Sequence, residues 1–257
     1  MAQLNGKPVE ADQLARLALT NYGHFTSMRV DNGRVRGLAL HLERLGRDCR
    51  ELFGAELDPE YVRGLARQAV PATGSVTVRV TVFDPGLDLG HPASAHDPHV
   101  LVTSRPAAEL PLAPLRVRST AYVRDVPSVK SVALFGTLHH RRAAQRAGFD
   151  DALFVDGRGR VVEGGTWNIG FFDGRRVVWP KADCLDGVTM RLLKEAHDHV
   201  TIPVEAAGIA DMRAAFATNA AVGVRAVGGI DATGLPDTHP VIDRLRRSYL
   251  EVPADLL

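Results

Sequence analysis

Short segments in which apolar and polar residues alternate recur through both halves of this chain, and helical segments lie between them. Ser75–Phe83 (SVTVRVTVF) alternates throughout, which is typical of a β-strand with one buried face. Leu38–Phe53 instead repeats apolar residues at three- and four-residue steps, which predicts an amphipathic helix that ends at Gly54. Because strands and helices are interspersed in both halves, the pattern predicts the α+β fold class.

The remaining elements follow from the same signals. A helix is expected over 59–68, since Asp58 is a good N-cap and Pro59 suits the first helical position. Further helices are predicted at 133–147, 187–199 and 240–250, and further strands at 25–30, 100–104, 115–123, 152–155, 160–163, 167–172 and 177–179.

A proline-rich stretch near the middle of the chain divides it. Residues 106–114 read PAAELPLAP, and three prolines in so short a segment interrupt any regular element. We therefore predict a small N-terminal domain over 1–106, a linker over 107–114 and a larger domain over 115–257.

The bulk composition excludes several classes of protein. The net charge of +1 argues against a protein that follows a nucleic-acid backbone. Two distant cysteines, Cys49 and Cys184, indicate neither a disulfide framework nor a zinc site, and the histidines are too scattered to predict any metal. With no apolar leader and no apolar run of membrane-spanning length, we expect a cytoplasmic protein without membrane contact.

Two residues in the second half have a composition around them that suits catalysis. Lys130 lies in the apolar stretch VPSVKSVALFG, where burial would lower the pKa of its amine, as a Schiff-base lysine requires. Glu163 ends an apolar strand before two glycines, which would let a ligand approach its carboxylate. A solvated loop lysine and a hairpin-turn acid are the alternatives.

Two further segments suit a phosphate group. Gly187, Val188 and Thr189 stand at a predicted helix N-terminus, where backbone N–H groups and the helix dipole favour an anion. Arg44, three residues after His41, offers a planar guanidinium that fits phosphate. The alternatives are an ordinary helix start capped by Asp186 and an exposed helix arginine.

The order and spacing of these segments are more specific than any one of them. The chain contains HLERL at 41–45, VKS at 129–131, VVEGGTWNIGFF at 161–172 and LDGVT at 185–189. This set resembles the class IV aminotransferases, which are the fold-type IV pyridoxal 5′-phosphate (PLP) enzymes. They include branched-chain and D-amino acid aminotransferases and 4-amino-4-deoxychorismate lyase. The resemblance runs from Asn5 to about Val227 and implies a small α/β domain and a larger one with a β-barrel-like sheet.

The resemblance implies a role for each matching residue. Lys130 would form the Schiff base with PLP and then act as the general base, and Glu163 would pair with the pyridine nitrogen. Asn168 would hold the cofactor loop. The other cofactor-binding residues implied are Arg44 and the amides of Val188 and Thr189 on the phosphate, Leu185 on the ring, Gly187, Asn219 and Ala220. Ala220 stands where relatives have a threonine, so one anchor is missing there.

The substrate side departs from the aminotransferase pattern. Phe25 and Thr26 stand where aminotransferases usually read F-E or Y-E, and this segment is more similar to that of the aminodeoxychorismate lyases. Asn219 is likewise the residue type expected of a lyase at its position. The implied substrate-binding residues are Phe25, Thr26, Arg29, Asn219 and Ala221. Tyr22 is expected to line the wall of the substrate site together with Phe25 and Arg29. The resemblance also implies a homodimer in which one subunit helps to close the site of the other.

Three hypotheses remain open from the sequence. The preferred one is a PLP-dependent aminotransferase that moves an amino group between an amino acid and a 2-oxo acid. The second is a 4-amino-4-deoxychorismate lyase that produces 4-aminobenzoate and pyruvate, which Thr26 and Asn219 motivate. The third is a non-catalytic protein with the same fold.

Overall fold

The computed structural model describes residues 2–257 and divides them into two compact units. The first unit contains the residues up to Ala108 together with Val129–Ala133 and Pro253–Leu257, and the second contains Glu109–Ser128 and Leu134–Val252. The division after Ala108 lies inside the predicted linker. The segment Val129–Ala133, which carries Lys130, belongs to the first unit, although the sequence suggested one domain over 115–257.

The first unit is a seven-stranded sheet with helices. Its strands have the spatial order β16-β4-β3-β5-β6-β1-β2. The strands are β1 (Ala2–Leu4), β2 (Lys7–Pro8), β3 (His24–Asp31), β4 (Arg34–Arg36), β5 (Ser75–Phe83), β6 (His99–Pro106) and β16 (Ala254–Leu256). The helices are α1 (Ala11–Thr20), α2 (Leu38–Phe53) and α3 (Pro59–Gln68), and Pro92–Ser94 is a 3₁₀ turn. The alternating residues of β5 put Val78, Val80 and Val82 into one core with α2.

The second unit is a nine-stranded mixed sheet. Its strands follow the order β12-β11-β10-β13-β14-β7-β8-β9, with β15 paired to β14. The strands are β7 (Leu115–Ala121), β8 (Asp151–Val155), β9 (Val161–Gly164), β10 (Asn168–Phe172), β11 (Val177–Pro180), β12 (His199–Ile202), β13 (Ala214–Asn219), β14 (Gly223–Ile230) and β15 (Thr233–Gly234). The helices are α4 (Phe135–Arg146), α5 (Val188–Ala196) and α6 (Pro240–Glu251), and Ala206–Asp211 is a 3₁₀ helix.

The α+β class and most elements predicted from the sequence are confirmed. The ranges 38–53, 59–68 and 75–83 agree to the residue, Gly54 ends α2 with φ of 61°, and the Asp58 side chain accepts the Glu60 N–H. These segments had both a clear period and a specific end signal, so their boundaries could be predicted.

Two sequence expectations are wrong in their boundaries. The helix expected over 187–199 ends at Ala196, because His199–Ile202 forms a strand paired in parallel with β11. The strand expected over 115–123 also ends earlier, at Ala121. Within residues 2–257, no helix combines the length and apolar character needed to cross a membrane.

Candidate active site

The Lys130 segment runs beside the beginning of β3 in the first unit. The Phe25 N–H donates to the Lys130 carbonyl at 2.9 Å, and the Val132 N–H donates to the Gly23 carbonyl at 3.0 Å. The Lys130 Nζ lies 4.9 Å from the centroid of the Phe25 ring, close enough for a cation–π interaction. The lysine is therefore half-buried against an aromatic face rather than held in a solvated loop.

Helix α2 brings polar residues to the same part of the first unit. We call Phe25, Thr26, His41, Arg44 and Lys130 the lysine cluster. Thr26 and His41 are fully buried, and Arg44 is 5% exposed. The buried Arg44 rules out the exposed helix arginine that the sequence left open.

A hydrogen-bonded chain links three members of the lysine cluster. Arg44 Nη2 donates to Thr26 Oγ1 at 2.7 Å, and Thr26 Oγ1 lies 2.7 Å from His41 Nδ1. Burial, with the nearby Arg44 and Lys130 cations, holds the pKa of His41 well below its ordinary range. The ring is thus neutral, and a proton on Nε2 lets Nδ1 accept the Thr26 hydroxyl.

An arginine that the sequence analysis missed lies against the same aromatic ring. The Arg79 guanidinium carbon is 3.6 Å from the Phe25 centroid, and Arg79 Nε donates to Thr81 Oγ1 at 3.2 Å. Burial lowers the pKa of Arg79 from its ordinary value. Over residues 2–257, no carboxylate forms an ion pair with Arg79 within 4.0 Å. The Phe25 ring therefore contacts two cations, Lys130 and Arg79.

Two expected wall residues have other partners in the first unit. Arg29 binds the Asp31 carboxylate at 2.9 Å and donates to the Ala108 carbonyl at 2.8 Å. It lies four residues along β3 from Phe25, or about 13 Å. The Tyr22 hydroxyl donates to the Leu52 carbonyl at 3.1 Å. Neither side chain is bonded to the lysine cluster.

Glu163 stands at the centre of a second group, in the second unit. Its Oε1 accepts from Arg124 Nε at 2.8 Å, and its Oε2 accepts the Leu185 N–H at 3.3 Å. The Glu163 side chain is 7% exposed and that of Arg124 is 17% exposed. A carboxylate so deeply buried beside an arginine is not the solvated turn acid of the alternative reading.

Asn168 fixes the loop that follows. Its Nδ2 donates to the Leu185 carbonyl at 2.8 Å, so the Leu185 peptide is held by Glu163 on its N–H and by Asn168 on its oxygen. A Cβ on Gly187 would lie 2.0 Å from Asn168 Oδ1, so only glycine allows this approach. We call Glu163, Arg124, Asn168, Leu185 and Gly187 the acid cluster.

The contact at Gly187 gives a direct test of this loop. We expect Gly187→Ala to push Asn168 away from Leu185 and to lower the free energy of unfolding by about 1–3 kcal/mol. Urea denaturation measures the change. Gly157→Ala is the matched control, because a Cβ there meets no atom within 4 Å. Equal stability of the two variants would contradict the tight packing.

The N-terminus of α5 follows Gly187 directly. Gly187 is the N-cap and supplies no side-chain cap, so the first N–H groups of α5 remain available to an anion. The Thr189 hydroxyl is buried and has no hydrogen-bond partner within residues 2–257. Thr218, which stands opposite Asn168 in the β10–β13 register, has a second buried hydroxyl without a partner there. Unpaired buried hydroxyls indicate a missing polar ligand.

The segment 219–221 forms a turn between β13 and β14. Asn219 Oδ1 accepts the N–H groups of Ala221 and Val222, both at 3.0 Å. Asn219 also lines a cavity of about 370 Å³ in the second unit, with Trp167 and Arg225 among the other walls. Ala220 places no hydroxyl beside the turn, as its sequence already implied.

Three residues in or beside these clusters were not found from the sequence, although two had a signal. Asp48 continues the three- and four-residue spacing of His41 and Arg44 on α2, so these polar residues share the face that carries the apolar repeat, which indicates that they are buried. Arg79 is the only charged residue in the alternating β5. Arg124 has no pattern around it that would single it out.

Each unit, taken by itself, contains residues whose chemistry fits a part of PLP. A phosphate needs several N–H or O–H donors, and the first unit offers a buried arginine, Arg44, while the second offers the α5 N-terminus and the Thr189 hydroxyl. A pyridine nitrogen needs an acid, and Glu163 is buried. Among residues 2–257, no group of three His, Cys, Asp or Glu side chains could hold a metal ion.

Sequence comparison finds relatives described as branched-chain aminotransferases. A "Probable branched-chain-amino-acid aminotransferase" of Rickettsia felis is 28% identical over 47% of this chain and 45% of its own length. The chain thus matches about half of that relative. A protein with the same description from Rickettsia bellii is 25% identical over 96% of this chain and 93% of its own length.

Solved structures share the fold at low identity. The branched-chain aminotransferase of Thermoproteus uzoniensis with norvaline superposes with a TM-score of 0.86 at 18% identity, over 97% of this chain and 93% of that one. A "Putative 4-amino-4-deoxychorismate lyase" of Legionella pneumophila gives 0.80 at 22% identity, over 92% and 93%. Both confirm the fold-type IV architecture.

The model of one family settles the relationship. The model "Amino-transferase class IV" matches residues 23–230, which include both the lysine cluster and the acid cluster. That family consists of PLP enzymes. This chain belongs to the class IV aminotransferase family, and it is a PLP-dependent enzyme.

Proposed function

We propose that this enzyme is an aminotransferase that moves an amino group between an amino acid and a 2-oxo acid, with Lys130 as its Schiff-base residue. The observation that carries the proposal is Arg79, a partly buried guanidinium on the same Phe25 ring as the Lys130 amine. Both substrates of an aminotransferase carry a carboxylate, and an arginine without an acidic partner suits one.

The residues of the lysine cluster have defined tasks in this proposal. PLP, when bound, supplies the electron sink that makes the substrate carbon acidic. The Lys130 Nζ would take the proton from that carbon and deliver it to a carbon of the cofactor, while the Phe25 ring restricts the position of the amine. Arg44, fixed by Thr26, contributes to binding the phosphate.

The second unit has its own residues that would bind and orient PLP. Glu163 pairs with the ring nitrogen, and Leu185, held through its peptide by Glu163 and Asn168, packs on the ring. The α5 amides of Val188 and Thr189 bind the phosphate, and we assign the Thr189 and Thr218 hydroxyls to the same group. Thr218 thereby supplies an O–H donor that Ala220 lacks.

Amino donors can be tested directly. The PLP-loaded enzyme should be mixed with single amino acids, beginning with valine, leucine and isoleucine because of the Rickettsia relatives, and with glutamate. We expect at least one of them to convert the bound cofactor to its pyridoxamine form, which changes its absorbance. If none of the amino acids does so, the aminotransferase proposal fails.

The lyase alternative loses its two sequence arguments. The Thr26 hydroxyl lies between Arg44 and His41, and the Asn219 side chain caps its own turn, so both side chains have structural partners. The same PLP-loaded enzyme can be given aminodeoxychorismate. Formation of 4-aminobenzoate, with no amino acid converting the cofactor to its pyridoxamine form, would favour the lyase. Failure to bind PLP would favour the non-catalytic hypothesis.

We also propose that the enzyme works as a homodimer. The second unit exposes apolar side chains at the start of α4, with Phe135 83% and Leu138 51% exposed. A patch of this kind is typical of a surface that another chain covers. Sedimentation equilibrium should give twice the mass of the 27.8 kDa chain, and a monomer would refute the proposal.

A further inference from the structure

Lys130 breaks the strand pairing that its own segment begins. Phe25 donates its N–H to the Lys130 carbonyl, and His24 and Ser131 form an antiparallel bridge. In a regular antiparallel pair, the Lys130 N–H would return a bond to the Phe25 carbonyl. Here the Lys130 N–H donates to Asp48 Oδ2 at 3.0 Å. The carboxylate thus takes an amide that sheet pairing would otherwise use.

The two carboxylate oxygens of Asp48, on α2, accept hydrogen bonds from two different residues. It is 1% exposed, and its Oδ1 accepts from Arg47 Nε at 3.1 Å and from Arg47 Nη2 at 2.7 Å. Oδ2 accepts from Lys130. A buried carboxylate is tolerated only when its lone pairs are satisfied, and breaking one such bond is costly. The Lys130 amide is therefore held by a strong acceptor.

The position of Asp48 on α2 relates the lysine to the phosphate arginine. Arg44 and Asp48 are four residues apart, so they lie on one helix face with a rise of about 6 Å between them. The helix is continuous from Leu38 to Phe53. One rigid turn of α2 thus sets the separation between Arg44 and the backbone of Lys130, within the first unit.

We propose that Asp48 is the positioning residue of Lys130: its carboxylate withdraws the lysine amide from strand pairing and fixes the lysine one helical turn from Arg44. The inference rests on the proposed role of Lys130. It assigns Asp48 no contact with substrate or cofactor.

The first test needs no cofactor. In the full-length protein, hydrogen exchange of the Lys130 amide, read by mass spectrometry, should become at least about tenfold faster in Asp48→Ala than in the wild type. Asp48→Asn keeps an acceptor oxygen and should stay within about threefold of the wild type. Asp84→Ala is the control, because Asp84 is a buried acid of the first unit that binds the N–H groups of Gly86 and Asp97 instead.

The second test measures what the bond does for Lys130. PLP is mixed with each protein, and the rate of its covalent attachment is followed by absorbance and borohydride trapping. We expect Asp48→Ala to attach PLP about tenfold more slowly and Asp48→Asn to recover most of that rate. If removal of a buried acid slows attachment only by destabilising the first unit, Asp84→Ala should be slowed as well.

The outcomes separate this inference from the proposed function. Wild-type exchange and attachment in Asp48→Ala would overturn the inference, and so would equal losses in Asp48→Ala and Asp48→Asn, since the charge rather than the bond would then matter. If Asp48→Ala does not fold, Asp48→Ser, whose side chain is too short to reach the amide, replaces it in both tests. A wild-type protein that never attaches PLP would refute the proposed function, while the exchange test would still decide the role of Asp48.

Discussion

Replacing Lys130 with alanine is expected to abolish covalent attachment of PLP and to lower turnover by roughly 10²–10⁴-fold. The Lys130 amine is the only group in the lysine cluster that can both bond to the cofactor and move a proton at neutral pH. Arg44 remains protonated, and burial holds the pKa of His41 well below its ordinary range, so neither can substitute.

The measurement is unusually clear because the chain has only four lysines, namely Lys7, Lys130, Lys181 and Lys194. Borohydride reduction followed by peptide mapping should place the cofactor on Lys130 in the wild type and on none of the four in Lys130→Ala. Lys181→Ala, which alters an exposed lysine, is the matched control and should label and turn over as the wild type does.

Added methylamine gives a second reading of the same variant. A small amine can occupy the space left by the side chain and carry the proton, so partial recovery of turnover is expected in Lys130→Ala alone. Label found on another lysine would refute the assignment of Lys130.

The sequence predicted the local elements well where a period and an end signal coincided. Helix α2 has both, with apolar residues on one face and Gly54 beyond its end, and its bounds were predicted to the residue. The strand β12 was missed because VTI is short and follows a helix, and only pairing with β11 reveals it.

The candidate site was predictable only in part. Lys130, Arg44 and Glu163 could be named because their spacing resembles a family, while their burial could not be read from one sequence. Their partners depend on tertiary structure: Arg124 precedes Glu163 by 39 residues, and Asp48 precedes Lys130 by 82. No local pattern reports contacts over such separations.

The place of Lys130 in the first unit also depends on contacts between residues that are far apart in the sequence. The prolines at 106–114 motivated the predicted linker, but the place of Val129–Ala133 in the first unit depends on bonds to Gly23 and Phe25. Strand pairing between distant segments follows from backbone geometry and not from composition, so a linker signal alone cannot predict it.

Replacing Glu163 with glutamine is expected to lower turnover by roughly 10²–10³-fold while leaving the shape of the acid cluster unchanged. In the proposed function the carboxylate keeps the ring nitrogen of PLP protonated, and an amide could not do so. Turnover of Glu163→Gln is compared with that of Glu205→Gln, which changes an exposed acid of the same unit and should be neutral. Equal turnover in both variants would contradict the role of Glu163.

Arg124 makes the prediction for Glu163 more specific. Its Nε lies 2.8 Å from Glu163 Oε1, so it neutralises part of the charge that Glu163 offers to the ring nitrogen. Arg124→Gln should remove that compensating charge and increase protonation of the ring nitrogen, whereas Glu163→Gln should decrease it. The ¹⁵N resonance of ring-labelled PLP reports this protonation and should move in opposite directions in the two variants. A shift in the same direction in both would mean that Arg124 and Glu163 act on the cofactor only as a packed pair, and the electrostatic role of Glu163 would have to be abandoned.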